Sequence, residues 1–385
     1  MQLFRHFFES AMNRELSELY VTHALRAFAA AMISIFVPIY LFQLQYSIFQ
    51  IIYYFILSEG FMTVFILLTS LLAKKLPLKH MMAISVPLHI VFLLMLYTFD
   101  SVGWGLELLA LFDGAAVAFY WLPFHLDFSQ NSLHDFRGRE VGLLQTATVG
   151  VTLLAPIVGG TIVVLLGFHW LYIAGIVLMI SSIIPLFLSK EIFDEPKFSF
   201  KDSLNFPARE ALMHFAWGAR TTAELLFWPL FLFVLLNSAF TLGLITTIGA
   251  LFSALATLWD GKITDSLKRN VMVSIATIVE SVSWFVRIIT TTILGIIGIS
   301  IVSGAAFTSI DVPYRAFFYD QTNKTKRSEY IIFRQLWLFA GRLFILGILL
   351  LAGLSFTNTL VAGMLMTSII LLAFLFLVKE RTSWN

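Results

Sequence analysis

With 385 residues, 59% of them hydrophobic and only 12% charged, the chain departs from soluble domains, in which about a quarter of the residues are charged. A net charge of +2 without a basic run excludes nucleic acid as a partner. The absence of cysteine excludes disulfides, thiolate metal sites and thiol catalysis.

Residues 1–13 place Phe4, Phe7, Phe8 and Met12 beside Arg5 and Glu9, the pattern of a short helix on a membrane surface or of a frayed tail. A helix needs about 20 apolar residues to cross the hydrocarbon layer. Six such stretches follow, at 15–43, 48–73, 78–98, 105–128, 141–165 and 169–189. After a polar connection at 190–206 come six more, at 207–236, 240–260, 270–292, 296–319, 328–352 and 356–378. None alternates polar and apolar residues as barrel strands do. The expectation is an all-α integral membrane protein of twelve transmembrane helices. It divides into a cytoplasmic segment 1–13, a bundle 14–189, a linker 190–206, a bundle 207–378 and a tail 379–385.

The connections alternate in charge. Those at 44–47, 99–104, 166–168, 237–239, 293–295 and 353–355 hold no Lys or Arg. The others carry Lys74, Lys75 and Lys79; Arg137 and Arg139; Lys190, Lys197, Lys201 and Arg209; Lys262, Lys268 and Arg269; and Lys324, Lys326 and Arg327. Basic short loops stay cytoplasmic, so both termini are expected inside, in a plasma or inner cell membrane.

The second half repeats the first. Gly114, Ala115, Ala116, Pro123, Phe128, Arg137 and Gln145 recur 190 residues later as Gly304, Ala305, Ala306, Pro313, Phe318, Arg327 and Gln335. His23, Phe36, Pro38, Leu41, Phe42 and Ser47 recur 191 residues later as His214, Phe227, Pro229, Leu232, Phe233 and Ser238. Six spans per copy make the copies parallel, related by an axis along the membrane normal, which is how the major facilitator superfamily is built. The resemblance extends to short motifs. Gly261-Lys-Ile-Thr-Asp265-Ser-Leu-Lys268-Arg269 resembles that family's cytoplasmic loop motif. Gly142, Pro156, Gly159 and Gly160 resemble its span-five glycine-proline pattern, associated with exporters, although Val151 and Ala155 replace two glycines. Gly167-Phe-His-Trp170 resembles the turn into span six. The loop between spans two and three, Lys74-Lys-Leu-Pro-Leu-Lys79, keeps the basic residues of the loop motif and lacks its aspartate. The resemblance implies two pseudo-symmetric six-helix bundles whose spans one, four, seven and ten line a central cavity. It also implies that Asp265 latches onto the start of span five, around Arg139–Gly142, when the cavity faces outward. A simple cap on span nine is the alternative for Asp265.

Ionisable groups inside spans cost at least about 2.5–3.5 kcal/mol, so each must pair, line water or serve a function. The arginines are Arg26, Arg220, Arg287, Arg315, Arg334 and Arg342; the acids are Glu59, Asp113, Glu224, Glu280 and Asp311. Arg220 with Glu224, and Asp311 with Arg315, share a helix face at i, i+4. Burial favours the protonated carboxyl and a neighbouring arginine the ionised one, so a pair that opens can take up or release a proton. Glu224 is the first candidate carrier, Glu59 the second, Asp311 the third, with Asp113 also possible. Glu280 and Arg287, seven apart on one face of span nine, read as a structural bridge. Arg26, Arg220, Arg315 and Arg342 are candidate substrate contacts, which suits an anionic or zwitterionic solute. Tyr120, Trp121, Phe227 and Trp228 are candidates for an aromatic wall. His125 and Asp127 read as a hydrated helix end, with a gate as the alternative.

No phosphate loop or His-Glu-x-x-His signature occurs, so no enzyme, cofactor or metal is expected. The expected function is a secondary transporter of a small organic solute, coupled to protons and inclined to export, working as a monomer in contact with lipid. A sodium-coupled importer and a non-transporting sensor or assembly protein are the alternatives. In the first copy Ile33 and Ala29 stand where Glu224 and Arg220 stand in the second, so the C-terminal bundle is expected to carry most of the coupling.

Overall fold

The computed structural model describes residues 14–131, 144, 147–187, 206–263, 269–324 and 327–375. Among the described residues, twelve helices are long and apolar enough to cross a membrane: α1 (Ser17–Gln43), α2 (Ile48–Leu72), α3 (Leu78–Tyr97), α4 (Leu106–Gln130), α5 (Ala147–Leu166), α6 (Phe168–Phe187), α7 (Ala208–Leu236), α8 (Ala239–Thr257), α9 (Val271–Ile289), α10 (Ile293–Thr322), α11 (Arg327–Ala352) and α12 (Phe356–Leu375). Apart from the start of span five, which lies outside the described residues, their starts and ends fall within a few residues of the predicted spans. The even count brings residues 14 and 375 to one end of the molecule, the terminal end; the opposite end is the far end.

Local chemistry sets the far-end turns. Ser47 caps α2 through a reciprocal box, its Oγ accepting from the Gln50 amide at 3.3 Å while Gln50 Oε1 accepts from the Ser47 amide at 2.9 Å. Gly167, at φ +89°, joins α5 to α6 without an intervening loop, a backbone conformation that L side chains resist. Asn237, at φ +47°, ends α7.

The sequence repeat is also a packing repeat. α4 packs on α2 and α3, and α10 on α8 and α9; α3 packs on α6, and α9 on α12. The repeated glycines explain one of these contacts. A Cβ on Gly114 would lie 2.5 Å from the Ser58 carbonyl of α2, and one on Gly304 would lie 2.2 Å from the Gly249 carbonyl of α8. Small residues let membrane helices approach this closely. The repeated histidines act alike too: His23 Nδ1 meets the Tyr120 hydroxyl at 2.7 Å, and His214 Nδ1 meets that of Tyr314 at 2.9 Å. The two bundles join mainly through α5 against α8 and α2 against α11. Large apolar side chains such as Leu165, Ile184, Leu294 and Leu351 point outward, as lipid requires.

The repeated prolines distort their helices differently. Proline lacks an N–H and clashes with the carbonyl four residues back, so the preceding turn must change pitch. Before Pro38, α1 tightens into a 3₁₀ turn over Ser34–Phe36; before Pro229, α7 widens into a π turn over Ala223–Phe227. Reading span seven as one uninterrupted α-helix misses this widening.

Candidate functional site

The π turn carries Glu224 into a cluster of buried charge. Glu280 of α9, fully buried, accepts from Arg220 Nε at 3.2 Å, Arg220 Nη2 at 3.1 Å, Trp284 Nε1 at 3.1 Å and Ser303 Oγ at 2.7 Å. Arg287 donates from Nη2 to Ser303 at 2.8 Å. Glu224 stands before both arginines, 3.4 Å from Arg220 Nη2 and 3.4 Å from Arg287 Nη1. Aromatic faces confine the cations: Arg220 lies 3.9 Å from the Phe307 ring centroid, and Arg287 lies 4.5 Å from Trp228 and 4.1 Å from Trp284. Two guanidinium groups and two carboxylates balance. Glu224 alone is substantially open, with 36% of its side chain exposed against 6% or less for the other three.

This arrangement corrects the reading of Glu280 and Arg287 as a bridge along α9. At i, i+7 their side chains share a face, yet each reaches across to α7, and Ser303 and Trp284 stand between them. The Arg220–Glu224 contact is present as the spacing suggested. Trp284 and Ser303 were not anticipated, although Glu280, Trp284 and Arg287 at i, i+4 and i+7 form one stripe legible in the sequence.

The other candidates separate. Glu59 of α2 is bonded to Arg342 of α11, an ion pair that crosses from one bundle to the other. Asp311 holds Arg315 at 2.7–2.9 Å within α10. Asp113 accepts from Tyr54 at 2.8 Å and Ser58 at 2.6 Å, on α2. Arg26 is buried with its guanidinium 4.0 Å above the Tyr120 ring. Trp121 meets His23 edge-on and stacks on His125. Trp228 belongs to the Glu224 cluster. Phe227 does not line a wall: it is fully buried, its ring pressed against the backbone of Gly363 in α12, so it is core of the C-terminal bundle. Lys79, which the charge pattern groups with the loop before span three, is buried in α3, 3.9 Å from Glu18 of α1.

His125 and Asp127 do not form an open helix end. Both are buried, and His125 Nδ1 contacts the Tyr319 hydroxyl of α10 at 2.9 Å, joining the bundles near the terminal end. Phe124, Phe128, Phe318 and Tyr319 fill in around it. At the far end Phe42 of α1 packs against Phe233 of α7 and Phe356 of α12, with centroids 6.4 and 4.8 Å apart. The bundles therefore touch across both ends.

Of the span-five residues, Pro156 and Gly160 form a reciprocal contact with α8. A Cβ on Gly160 would lie 2.5 Å from the Ala239 carbonyl, and one on Gly243 would lie 2.3 Å from the Pro156 carbonyl. Gly159 abuts Met32 of α1 in the same way, at 2.3 Å. Gly142, Asp265 and Lys268 lie outside the described residues. Gly261 falls within the helix Ala239–Ile263, and Arg269 begins the helix Arg269–Ile289.

Parallel six-helix repeats that touch at both ends, with ionisable groups buried between those ends, define a membrane transport protein. Residues 19–242, more than half of the chain, match the sequence profile of the Major Facilitator Superfamily, and the chain belongs to that family. No curated protein matches the sequence. Solved structures share the fold at low identity. The nucleoside transporter NupG superposes with a TM-score of 0.68 at 14% identity, covering 96% of this chain and 100% of its own. FucP, a Major Facilitator Superfamily transporter in the outward conformation, gives 0.67 at 12% identity over 96% and 98%. A bacterial homologue of the iron transporter ferroportin, in its outward-facing state, gives 0.68 at 13% over 95% and 100%.

Proposed function

We propose that this protein moves a small organic solute by alternating access and couples that movement to protons through Glu224. The observation that carries the reading is the position of this carboxylate. It is the one open member of an otherwise sealed, charge-balanced cluster, and it sits on a π turn of α7. Such turns are frequent at functional sites. A proton on Glu224 would remove its hold on one N–H of each guanidinium group, and loss of the proton would restore it. Glu59 is a weaker carrier because Arg342 engages it across the bundles, in a contact that ties α2 to α11. The rocking bodies would be residues 14–189 and 207–378, with His125–Tyr319 and Phe42–Phe233 as the contacts broken alternately. The alternating loop charges support a cell membrane with both termini cytoplasmic, which makes the terminal end the inner one. The Pro156, Gly159 and Gly160 pattern supports export.

The test is transport by purified protein in liposomes of a solute found by thermal-stabilisation screening. An imposed pH gradient should accelerate the wild type. Glu224→Gln should abolish that acceleration while exchange of solute persists, and Glu59→Gln should keep it. A full response to the gradient in Glu224→Gln would remove Glu224 from the coupling role.

A further inference from the structure

The geometry points to the kind of solute this site takes: an organic monoanion whose carboxylate or phosphate group replaces the Glu224 carboxylate between Arg220 and Arg287. The inference rests on the reading of Glu224 as the proton carrier and adds the chemistry of the cargo.

Three observations converge. Glu280 is held by four donors at 2.7–3.2 Å, whereas Glu224 makes only two contacts, both at 3.4 Å. The first is a fixed part of the fold and the second a loosely held occupant. Next, Arg220 Nη2 from α7 and Arg287 Nη1 from α9 converge on this one carboxylate, so an anionic group in its place meets donors from two guanidinium groups at once. Charge completes the argument. With Glu224 ionised the cluster is neutral; with Glu224 protonated it carries one positive charge, in surroundings of Trp228, Trp284 and Phe307 where an unpaired charge is costly. A monoanion restores neutrality. A cation would face two arginines, and a neutral solute would leave the charge uncompensated.

The groups facing Glu224 are few. Arg220 lies on its own helix and Arg287 on α9, with Glu280 and Ser303 of α10 behind them; among the described residues no other charged group acts on it. The Ser34–Phe36 turn of α1 and the face of α12 also approach the π turn, and both are uncharged there. Proton and anion consequently enter together, one of each, and leave together. The loaded site moves no net charge, so the step responds to a pH gradient and not to voltage. Such co-transport carries an anion outward whenever it accumulates inside.

The probe set is benzoate with its uncharged and cationic analogues, benzamide and benzylamine. Binding is followed by thermal stabilisation of the full-length protein between about pH 5.5 and pH 8, above benzoate's own titration. Benzoate should weaken roughly tenfold per pH unit above the titration of Glu224, because one proton binds with it. The two analogues should not bind. Glu224→Gln should bind benzoate with no such slope. If that variant does not fold, proton uptake by wild-type protein in weak buffer reads the same quantity, one proton per benzoate. Preference for benzylamine, benzoate affinity in the wild type that ignores pH, or no uptake of protons would overturn the assignment. Loss of pH-driven transport of a neutral or cationic solute in Glu224→Gln would sink the anion assignment alone and leave Glu224 as carrier.

Discussion

Glu280→Ala is expected to destabilise the protein more than any other single change in the charged cluster. The carboxylate is fully buried and neutralises Arg220 through two hydrogen bonds, while also holding Trp284 and Ser303. Removing one partner of a buried pair strands the other, at a cost of about 3–5 kcal/mol. Glu224 can compensate only in part, since it already serves Arg287 and is the more solvated acid. Thermal unfolding in detergent should show a large fall in midpoint or no folded protein. The double variant Arg220→Met with Glu280→Leu removes both charges and restores apolar volume, so it should be more stable than Glu280→Ala. A double variant as unstable as the single one would show that packing, not charge, holds α7 to α9.

The second large effect is expected at the α5–α8 contact. Gly160 and Gly243 each face a carbonyl so closely that any Cβ meets backbone, at 2.5 and 2.3 Å, and backbone cannot rotate aside. Gly160→Leu must therefore push α5 from α8 and part the bundles at the far end. Overpacking of this kind costs about 1–3 kcal/mol within a core. Here it can be relieved by opening, so the change should appear in conformation before it appears in stability. Because the chain contains no cysteine, spin labels can be placed on single introduced cysteines at the exposed positions Gln45 and Asn358, one in each bundle at the far end. The distance between them should lengthen in Gly160→Leu, and transport should fall at least tenfold. An unchanged distance would mean that α5 yields within its own bundle.

Much of this architecture is legible in the sequence because the bilayer imposes one dominant rule, that each crossing is a long apolar helix. The glycine and histidine repeats mark the duplication in the sequence, and in the structure Gly114 with Gly304, and His23 with His214, do the same work in each copy. Charge partners were less accessible. Arg220 and Glu224 could be paired because helical spacing is a local property. Glu59 with Arg342, 283 positions apart, could not, since nothing local relates α2 to α11. Glu280 was misassigned for the same reason: α9 shows that its polar residues share a face, but not which helix that face meets. His125 looked exposed because it stands near a helix end, yet Tyr319 covers it from the other bundle. Phe227 shows the reverse error, where an aromatic beside the charged cluster proves to be core against Gly363.

The unequal helix defects before Pro38 and Pro229 have a mechanical consequence. An unbroken helix transmits torque along its axis; one with a turn of altered pitch acts as a hinge. The arms beyond these hinges, Val37–Gln43 in α1 and Trp228–Leu236 in α7, carry Phe42 and Phe233, which close the far end. Each arm can swing without dragging the half of its helix that packs against the His125 cluster. Glu224 lies inside the α7 hinge, whereas Arg287 is anchored on α9. Under the proposed mechanism, bending the arm would change the separation of Glu224 from Arg287, so the far-end contact and the proposed carrier would share a single moving part.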